Sequence, residues 1–206
     1  MYDICAKLAP TLHAMKVGRV IARPFTGNSR KTFKRTINRK DFSLEPPNPT
    51  LCEWAFDEGR QVNSLGKIAD IFSNKGISSV KKGSDKKLME FLKQLLVSAP
   101  DGSLNIANFI EFDSLYGHRR DVSGYARHLE WFDSELSGVF DLTCSNDLIL
   151  ITADHGNDPT WKGSDHTREE VPVLERKGNA APRCTGLHED FTYVARLLRD
   201  HFSLSN

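Results

Sequence analysis

Aspartate and histidine recur together in three short segments of the second half of this 206-residue sequence. The residues are Asp113, His118, Asp154, His155 and His166. Carboxylate oxygen and imidazole nitrogen in combination suit Mn²⁺, Zn²⁺ or Fe²⁺. Any one of these residues alone is more often a helix cap or an ordinary core or surface side chain, so the hypothesis rests on the set. Five ligands exceed the needs of one open catalytic site. They suit most of a two-metal site, which clamps the attacking and leaving oxygens of a phosphoryl group.

The first half of the sequence carries a dense positive charge. Arginines and lysines crowd between positions 19 and 40, interleaved with apolar residues: Arg19, Arg23, Arg30, Lys31, Lys34, Arg35, Arg39 and Lys40. A solvent-exposed face or loop is the simplest interpretation of this cluster. Because arginine offers a planar fork that grips phosphate with two hydrogen bonds, a small phosphorylated substrate is the alternative.

The metal-ligand candidates follow predicted strands. Residues 105–112 are rich in apolar side chains and predict a strand that ends at Asp113. The apolar run 147–152 is typical of a parallel strand buried on both faces, and it ends just before Asp154. A helix with one apolar face is predicted between them, over 122–140. This order predicts an α/β fold with a parallel sheet, in which ligands bind beyond the carboxyl ends of the strands.

The spacing of apolar residues and the capping signals predict the remaining elements. The character of the chain changes at about residue 100. Predicted helices cover 4–16, a segment that begins at Thr50 and ends at Gly59, 86–96 and 189–202, and predicted strands cover 17–23, 62–68 and 171–174.

Composition and charge exclude several classes of protein. Lys+Arg total 28 against 27 for Asp+Glu, and this balance lacks the electrostatic footprint of a general nucleic-acid binder. Hydrophobic residues make up 39% of the chain, which suits a core-forming protein and argues against disorder. No apolar run approaches the ~20 residues that cross a bilayer, and the start lacks a signal-peptide pattern. The cysteines form no CxxC pair, as expected for reduced thiols in the cytoplasm.

Three segments of the second half closely resemble the metal motifs of the phosphopentomutase family, namely 112–121, 152–160 and 165–169. The resemblance continues through 18–25, 35–39 and 66–71, and it covers nearly the whole chain in the family's order. Phosphopentomutases are similar to other members of the alkaline phosphatase superfamily. They are isomerases of nucleoside catabolism, which interconvert ribose 1-phosphate, or its 2-deoxy form, and ribose 5-phosphate.

The resemblance implies a two-manganese site. Asp113, His118 and His166 would hold one Mn²⁺, and Asp154 and His155 would contribute to the second.

The resemblance also implies a substrate site and a domain organisation. Arg19 and Lys67 match positions that bind the sugar phosphate, and Arg23 and Arg35 are nearby candidates with a weaker claim. Residues 101–206 would form the C-terminal part of an alkaline-phosphatase-like parallel-sheet core, and residues 1–100 would form part of an α/β cap. The implied partner is a small-molecule sugar phosphate in the cytoplasm, with neither nucleic acid nor membrane.

The sequence departs from the family in its length, because a family member is about twice as long. The family's N-terminal half supplies the first core strand, one more Asp ligand and the Thr that becomes phosphorylated, and nothing in this sequence matches those motifs. Thr152 and Thr167 flank metal ligands in other motifs, so no catalytic nucleophile is assigned. We therefore expect a C-terminal half that is inactive without its missing N-terminal half.

Two alternatives stay open from the sequence. One is another metal-dependent phosphatase or mutase of the same superfamily, and the other is a non-catalytic, truncated metal-binding remnant. A second departure from the family is the charged segment 175–178, which stands where the family tends to continue an apolar strand. It counts against an edge strand at that place.

Overall fold

The computed structural model describes residues 1–36, 38–178, 180–181 and 184–204. Its helices are α1 (Tyr2–Ala14), α2 (Leu51–Asp57), α3 (Ile68–Ile71), α4 (Asp85–Ser98), α5 (Val122–Phe140) and α6 (Thr192–Phe202). Its strands are β1 (Arg19–Ala22), β2 (Phe25–Thr26), β3 (Lys34–Arg35), β4 (Lys40–Ser43), β5 (Val62–Leu65), β6 (Ser79–Lys81), β7 (Leu104–Ala107), β8 (Leu148–Thr152) and β9 (Val173–Lys177). Within these ranges, no helix is both long and apolar enough to cross a membrane.

A parallel sheet of three strands, in the order β6-β5-β7, lies at the centre of the fold. Parallel strands need crossover connections. The chain passes from β5 to its neighbour β6 through α3, and from β6 to β7, on the other side of β5, through α4. The predicted α/β class with a parallel sheet is therefore confirmed. The sheet continues across residue 100, so no break in it marks the predicted division into cap and core, and that division stays a prediction.

The core packs around β5, which is buried along its whole length. Val62 joins a cluster with Cys52, Ala55, Leu104 and Leu204, so this strand packs against α2, β7 and the end of the chain.

Buried polar side chains of the central sheet are satisfied by one another. Asn63, on β5, donates to Asn105 Oδ1 at 2.8 Å and accepts from Ser79 Oγ at 2.5 Å. These bonds link the three strands through side chains as well as backbone. Burial of these amides therefore does not carry the penalty of an unpaired group.

Two antiparallel ribbons carry the cationic segment. Strand β1 pairs with β4, placing Arg19 opposite Ser43, and β2 pairs with β3, placing Phe25 opposite Arg35. Helix α1 packs on both strands of the first ribbon. Ile37, inside the predicted substrate motif 35–39, lies outside the described residues.

The apolar run 147–152 forms strand β8, but its environment differs from the prediction. It pairs antiparallel with β9, and its apolar side chains are half-buried rather than covered on both faces. Strand β9 also continues through the charged segment, contrary to the expectation drawn from the family. Arg176 accounts for part of this, because its guanidinium lies over the Phe140 ring, 4.2 Å from the ring centroid.

Strand β7 ends at Ala107, earlier than the predicted strand 105–112. The buried carboxylate of Asp85 accepts hydrogen bonds from the backbone N–H groups of Ile110 and Glu111, at 3.0 and 3.1 Å. These bonds take the place of sheet pairing and turn the chain into a short π-helical segment, Phe112–Gly117. Asp113 therefore lies in a wide helical turn rather than at the last position of a strand.

Candidate metal and phosphate site

Three of the predicted ligands meet at one carboxylate. Asp113 Oδ2 lies 3.3 Å from His118 Nε2, and Asp113 Oδ1 lies 3.2 Å from His166 Nε2. All three ligand atoms lie within 4.8 Å of one another. Ligand atoms bonded to one ion at about 2.1 Å are themselves roughly 3.0–3.4 Å apart, so this spacing fits a shared divalent ion.

The π-helical turn explains how Asp113 and His118 come to face each other. The backbone N–H of His118 donates to the Asp113 carbonyl at 2.9 Å, a bond between residues five apart. This wide turn brings their side chains to the same side, and π-helical turns occur frequently at functional sites.

The orientation of His118 supports a cation at this place. Its Nδ1 lies 2.5 Å from the Ser164 carbonyl oxygen, which can only accept, so Nδ1 carries the proton. In the neutral ring, the lone pair of Nε2 then faces the Asp113 carboxylate. Two acceptors facing each other are satisfied by a cation between them. A ligating histidine that anchors its other nitrogen on a backbone carbonyl is the usual arrangement in metal sites.

The second predicted pair lies against the first group. The rings of His155 and His166 stack with their centroids 3.7 Å apart. His155 Nε2 lies 3.6 Å from Asp154 Oδ2, and the Asp154 side chain is 73% exposed. The structure thus brings all five predicted residues to one place beyond the carboxyl end of β8. Which of them bind metal stays a prediction.

Asn157 is part of this site and was missed by the sequence analysis. Its Nδ2 donates to Asp113 Oδ1 at 2.6 Å. Its place in the motif 152–160 was the available signal, but neither its residue type nor its spacing indicates a contact with Asp113.

A second missed feature lies beneath the site. The Asp85 side chain is fully buried, and its Oδ2 lies 2.9 Å from His128 Nε2 on α5. The His128 ring packs against the rings of Phe112 and Trp131. Because this carboxylate already accepts from two backbone N–H groups and approaches His128, it supports the turn that carries Asp113. The apolar spacing predicted α4 from residue 86, one residue after its observed start at Asp85, and Asp85 was assigned no role.

One of the predicted phosphate-binding residues, Arg19, binds a buried carboxylate, that of Asp41. The Asp41 side chain, only 4% exposed, binds Arg39 through two bonds of 2.6 and 2.7 Å and Arg19 through one of 3.3 Å. Burial raises the pKa of Asp41, but the hydrogen bonds and charges of Arg39 and Arg19 outweigh it and leave the pKa lowered. A cavity of about 330 Å³ opens beside Arg19. Asp41 and Arg39 were not assigned as site residues from the sequence.

Lys67 is the N-cap residue of α3, two positions after the end of β5. Burial lowers the pKa of Lys67, and the charges of Arg39 and Arg19 lower it further, whereas Asp113 and Asp41 raise it. The pKa of Lys67 therefore reflects two sets of charges. One is the cationic group of Arg39 and Arg19, and the other includes the Asp113 carboxylate.

The weaker candidates, Arg23 and Arg35, belong to the same cationic group. Burial lowers the pKa of Arg23, as do the charges of Arg39, Arg35 and Arg19, while Asp41 opposes them. Arg35, on β3, is exposed. Crowded like charges of this kind favour an anion among them.

Comparison with known proteins identifies relatives over nearly the whole chain. Residues 57–206 match the metalloenzyme superfamily. A phosphopentomutase of Chromohalobacter salexigens is 46% identical over 212 residues, which covers 100% of this chain and 50% of that protein. A phosphopentomutase of Aeromonas salmonicida is 48% identical over 205 residues, 99% of this chain and 51% of its own length. One of Rhizobium johnstonii is 44% identical over 201 residues, with shares of 97% and 50%.

The resemblance inferred from the motifs is therefore confirmed, and the chain spans about half the length of these curated relatives.

Proposed function

Because this chain belongs to the metalloenzyme superfamily, we propose that it is the metal- and phosphate-binding half of a phosphopentomutase. The reaction would interconvert ribose 1-phosphate, or its 2-deoxy form, and ribose 5-phosphate, in the cytoplasm and without nucleic acid or membrane partners. The observation that carries the proposal is the meeting of Asp113, His118 and His166, whose ligand atoms all lie within 4.8 Å of one another.

The proposed metal is manganese, at two positions. Asp113, His118 and His166 would hold one ion, and Asp154 and His155 would contribute to the second. Carboxylate and imidazole donors suit Mn²⁺, and the distances around Asp113 support a divalent ion. Such ions supply Lewis-acid stabilisation of negative charge on phosphoryl oxygens.

The cationic group would bind the phosphate of the sugar. Lys67 offers an ammonium partly withdrawn from water, and Asp41 holds Arg19 and Arg39 in fixed orientations. Because these groups are fixed before an anion arrives, they bind it without losing further side-chain entropy. Arg23 and Arg35 would add to the attraction without necessarily touching the phosphate.

The nucleophile would come from outside this half. Thr167 Oγ1 accepts the N–H of Asp158 and donates to Glu169 Oε2, each at 2.6 Å, so this hydroxyl is committed to the loop. The apolar side chains of β8 are only half-buried, although such a run is typical of a strand covered on both faces. Both observations support a partner that is the missing N-terminal half of the relatives, and the chain alone would not turn over substrate.

A fusion protein tests the proposal. The half of the Chromohalobacter salexigens relative that this chain does not match is joined to it, and mutase activity is measured with ribose 1-phosphate and Mn²⁺. We expect turnover by the fusion, none by the chain alone, and none by the fusion carrying Asp154→Ala. Asp101→Ala is the matched control, because Asp101 is exposed and without a polar partner in the described part of the chain.

Three outcomes would contradict parts of the proposal. A folded fusion that binds Mn²⁺ without turnover would favour a non-catalytic remnant. Release of inorganic phosphate instead of isomerisation would favour another phosphatase of the superfamily. Turnover by the chain alone, lost with Asp154→Ala, would place a nucleophile within these residues.

A further inference from the structure

Arg120 connects three chain segments through one guanidinium group: the end of the π-helical turn and two parts of the long loop between β8 and β9. Its Nη1 donates to the Gly117 carbonyl at 2.8 Å and to Asn157 Oδ1 at 2.6 Å. Its Nε donates to the Gly163 carbonyl at 2.7 Å, and its Nη2 donates to the Asp165 carbonyl at 2.6 Å. The partners are 3, 37, 43 and 45 positions away in the sequence.

Each of these three segments carries a predicted metal ligand. Gly117 precedes His118, Asn157 follows His155 by two residues, and Asp165 precedes His166. Two of the bonds reach the backbone carbonyls of the residues before His118 and His166. Arg120 therefore holds the backbone from which these two side chains extend.

Asn157 extends the connection to the central carboxylate. Arginine can only donate, so the oxygen of the Asn157 amide faces Arg120 and its nitrogen faces Asp113. The Asn157 amide therefore has one orientation, in which it donates to Asp113 Oδ1. Two successive hydrogen bonds join Arg120 to the carboxylate on which His118 and His166 converge.

The backbone conformation of Arg120 is also unusual. Its φ is +55°, in the left-handed region that side chains other than glycine seldom adopt. Such conformations persist where the surroundings determine them, and they cluster at functional sites. The four hydrogen bonds of the guanidinium supply that determination.

We propose that Arg120 is a positioning residue that assembles these three ligand-bearing segments into one metal site. Its positive charge does not favour metal binding, because a cation near a metal site repels the metal ion. The geometry of the fork is the reason, since a lysine ammonium offers no planar set of five donors. The measurement of Mn²⁺ binding described below rests on the proposed function, whereas the measurement of hydrogen exchange does not.

Two variants of the 206-residue chain, Arg120→Lys and Arg120→Ala, separate geometry from charge. Mn²⁺ binding is measured at a temperature well below each melting temperature, by electron paramagnetic resonance of the free ion. We expect both variants to bind Mn²⁺ about 10–100-fold more weakly, the usual effect of losing a group that orients metal ligands. If Arg120 acted only through its charge, Arg120→Ala would instead bind Mn²⁺ more tightly.

Hydrogen exchange measures the loops without any metal. In both variants, amides of 114–121, 155–160 and 163–169 should exchange faster together. Faster exchange confined to 114–121 would overturn the proposal, as would unchanged or tighter Mn²⁺ binding by both variants. Arg119→Ala is the matched control and should leave both readouts unchanged, because Arg119 is exposed and has no polar contact among the described residues. If the unaltered chain fails to bind Mn²⁺, the proposed metal site is wrong, and the exchange result alone decides the role of Arg120.

Discussion

Replacing Asp85 should destabilise the protein more than any exposed aspartate. The Asp85 carboxylate is fully buried and serves three groups: the N–H of Ile110, the N–H of Glu111 and His128 Nε2. Asp85→Ala leaves all three without their partner, and two of them belong to a partly buried backbone turn.

The expected magnitude follows from these contacts. Each buried donor left unpaired costs about 1–3 kcal/mol, and Asp85→Ala leaves three such donors. Local relaxation would return part of the sum, so we expect Asp85→Ala to lower the free energy of unfolding by about 3–5 kcal/mol. Asp85→Asn keeps one carbonyl acceptor but turns an N–H₂ group towards a donor, and should cost about 1–3 kcal/mol.

Urea unfolding followed by circular dichroism measures both values, and Asp101→Asn provides the control. Asp101 is exposed, so its replacement should change the free energy of unfolding by less than about 0.5 kcal/mol. If Asp85→Ala unfolds within about 0.5 kcal/mol of the unaltered chain, the buried carboxylate does not support the turn that carries Asp113, and the reasoning fails.

Three further predictions concern other parts of the fold. Gly66→Ala should lower the free energy of unfolding by about 1–3 kcal/mol, measured in urea, because Gly66 has a φ of +88° and a Cβ there would lie 2.5 Å from a backbone carbonyl oxygen; an unchanged midpoint would contradict this. Asn157→Ala should weaken Mn²⁺ binding by about 10-fold or more in a titration, because Asp113 loses the amide that orients it; unchanged binding would remove Asn157 from the site. Burial raises the pKa of Cys52 to about 11, so its thiolate fraction at pH 8 is about 100-fold below that of an unperturbed thiol and a thiol reagent should label it only in urea. Because the unfolded thiol ionises at lower pH than the folded one, the free energy of unfolding should also fall as pH rises above about 9, and a flat profile from pH 8 to 10 would contradict this. The rapidly labelled exposed thiols should be Cys144 and Cys184.

The elements that the sequence predicted well are those with a local cause. Helix α5 occupies Val122–Phe140, as its apolar spacing indicated, and α2 begins after Thr50, whose backbone N–H donates to Glu53 Oε2 at 3.0 Å. The convergence of the Asp and His residues followed from their positions after predicted strands. The length of β7 was wrong because its end depends on Asp85, whose contacts with Ile110 and Glu111 join positions 25 and 26 apart.

The residues that the sequence did not reveal act through such distant contacts. Asn157 reaches Asp113 across 44 positions, and Arg19 reaches Asp41 across 22. Loop sequences have no regular spacing of polar and apolar residues. The residues next to a polar side chain in a loop therefore do not indicate which distant residue it contacts. The pairing of β8 also lay beyond the pattern, since an apolar run predicts a strand but not the direction of its neighbour.

Strands β5 and β7 are adjacent and parallel, and Lys67 lies two residues beyond the end of β5. Asp113 lies six residues beyond β7, in the π-helical turn that Asp85 supports. Arg19 on β1 and Arg39, the residue before β4, carry charges that oppose the Lys67 charge. A neutral sugar would leave this repulsion in place, whereas a phosphate dianion among the three cations would convert it into attraction. In the proposed function, this arrangement would favour a phosphorylated ligand over an unphosphorylated one before any specific contact with the sugar is made.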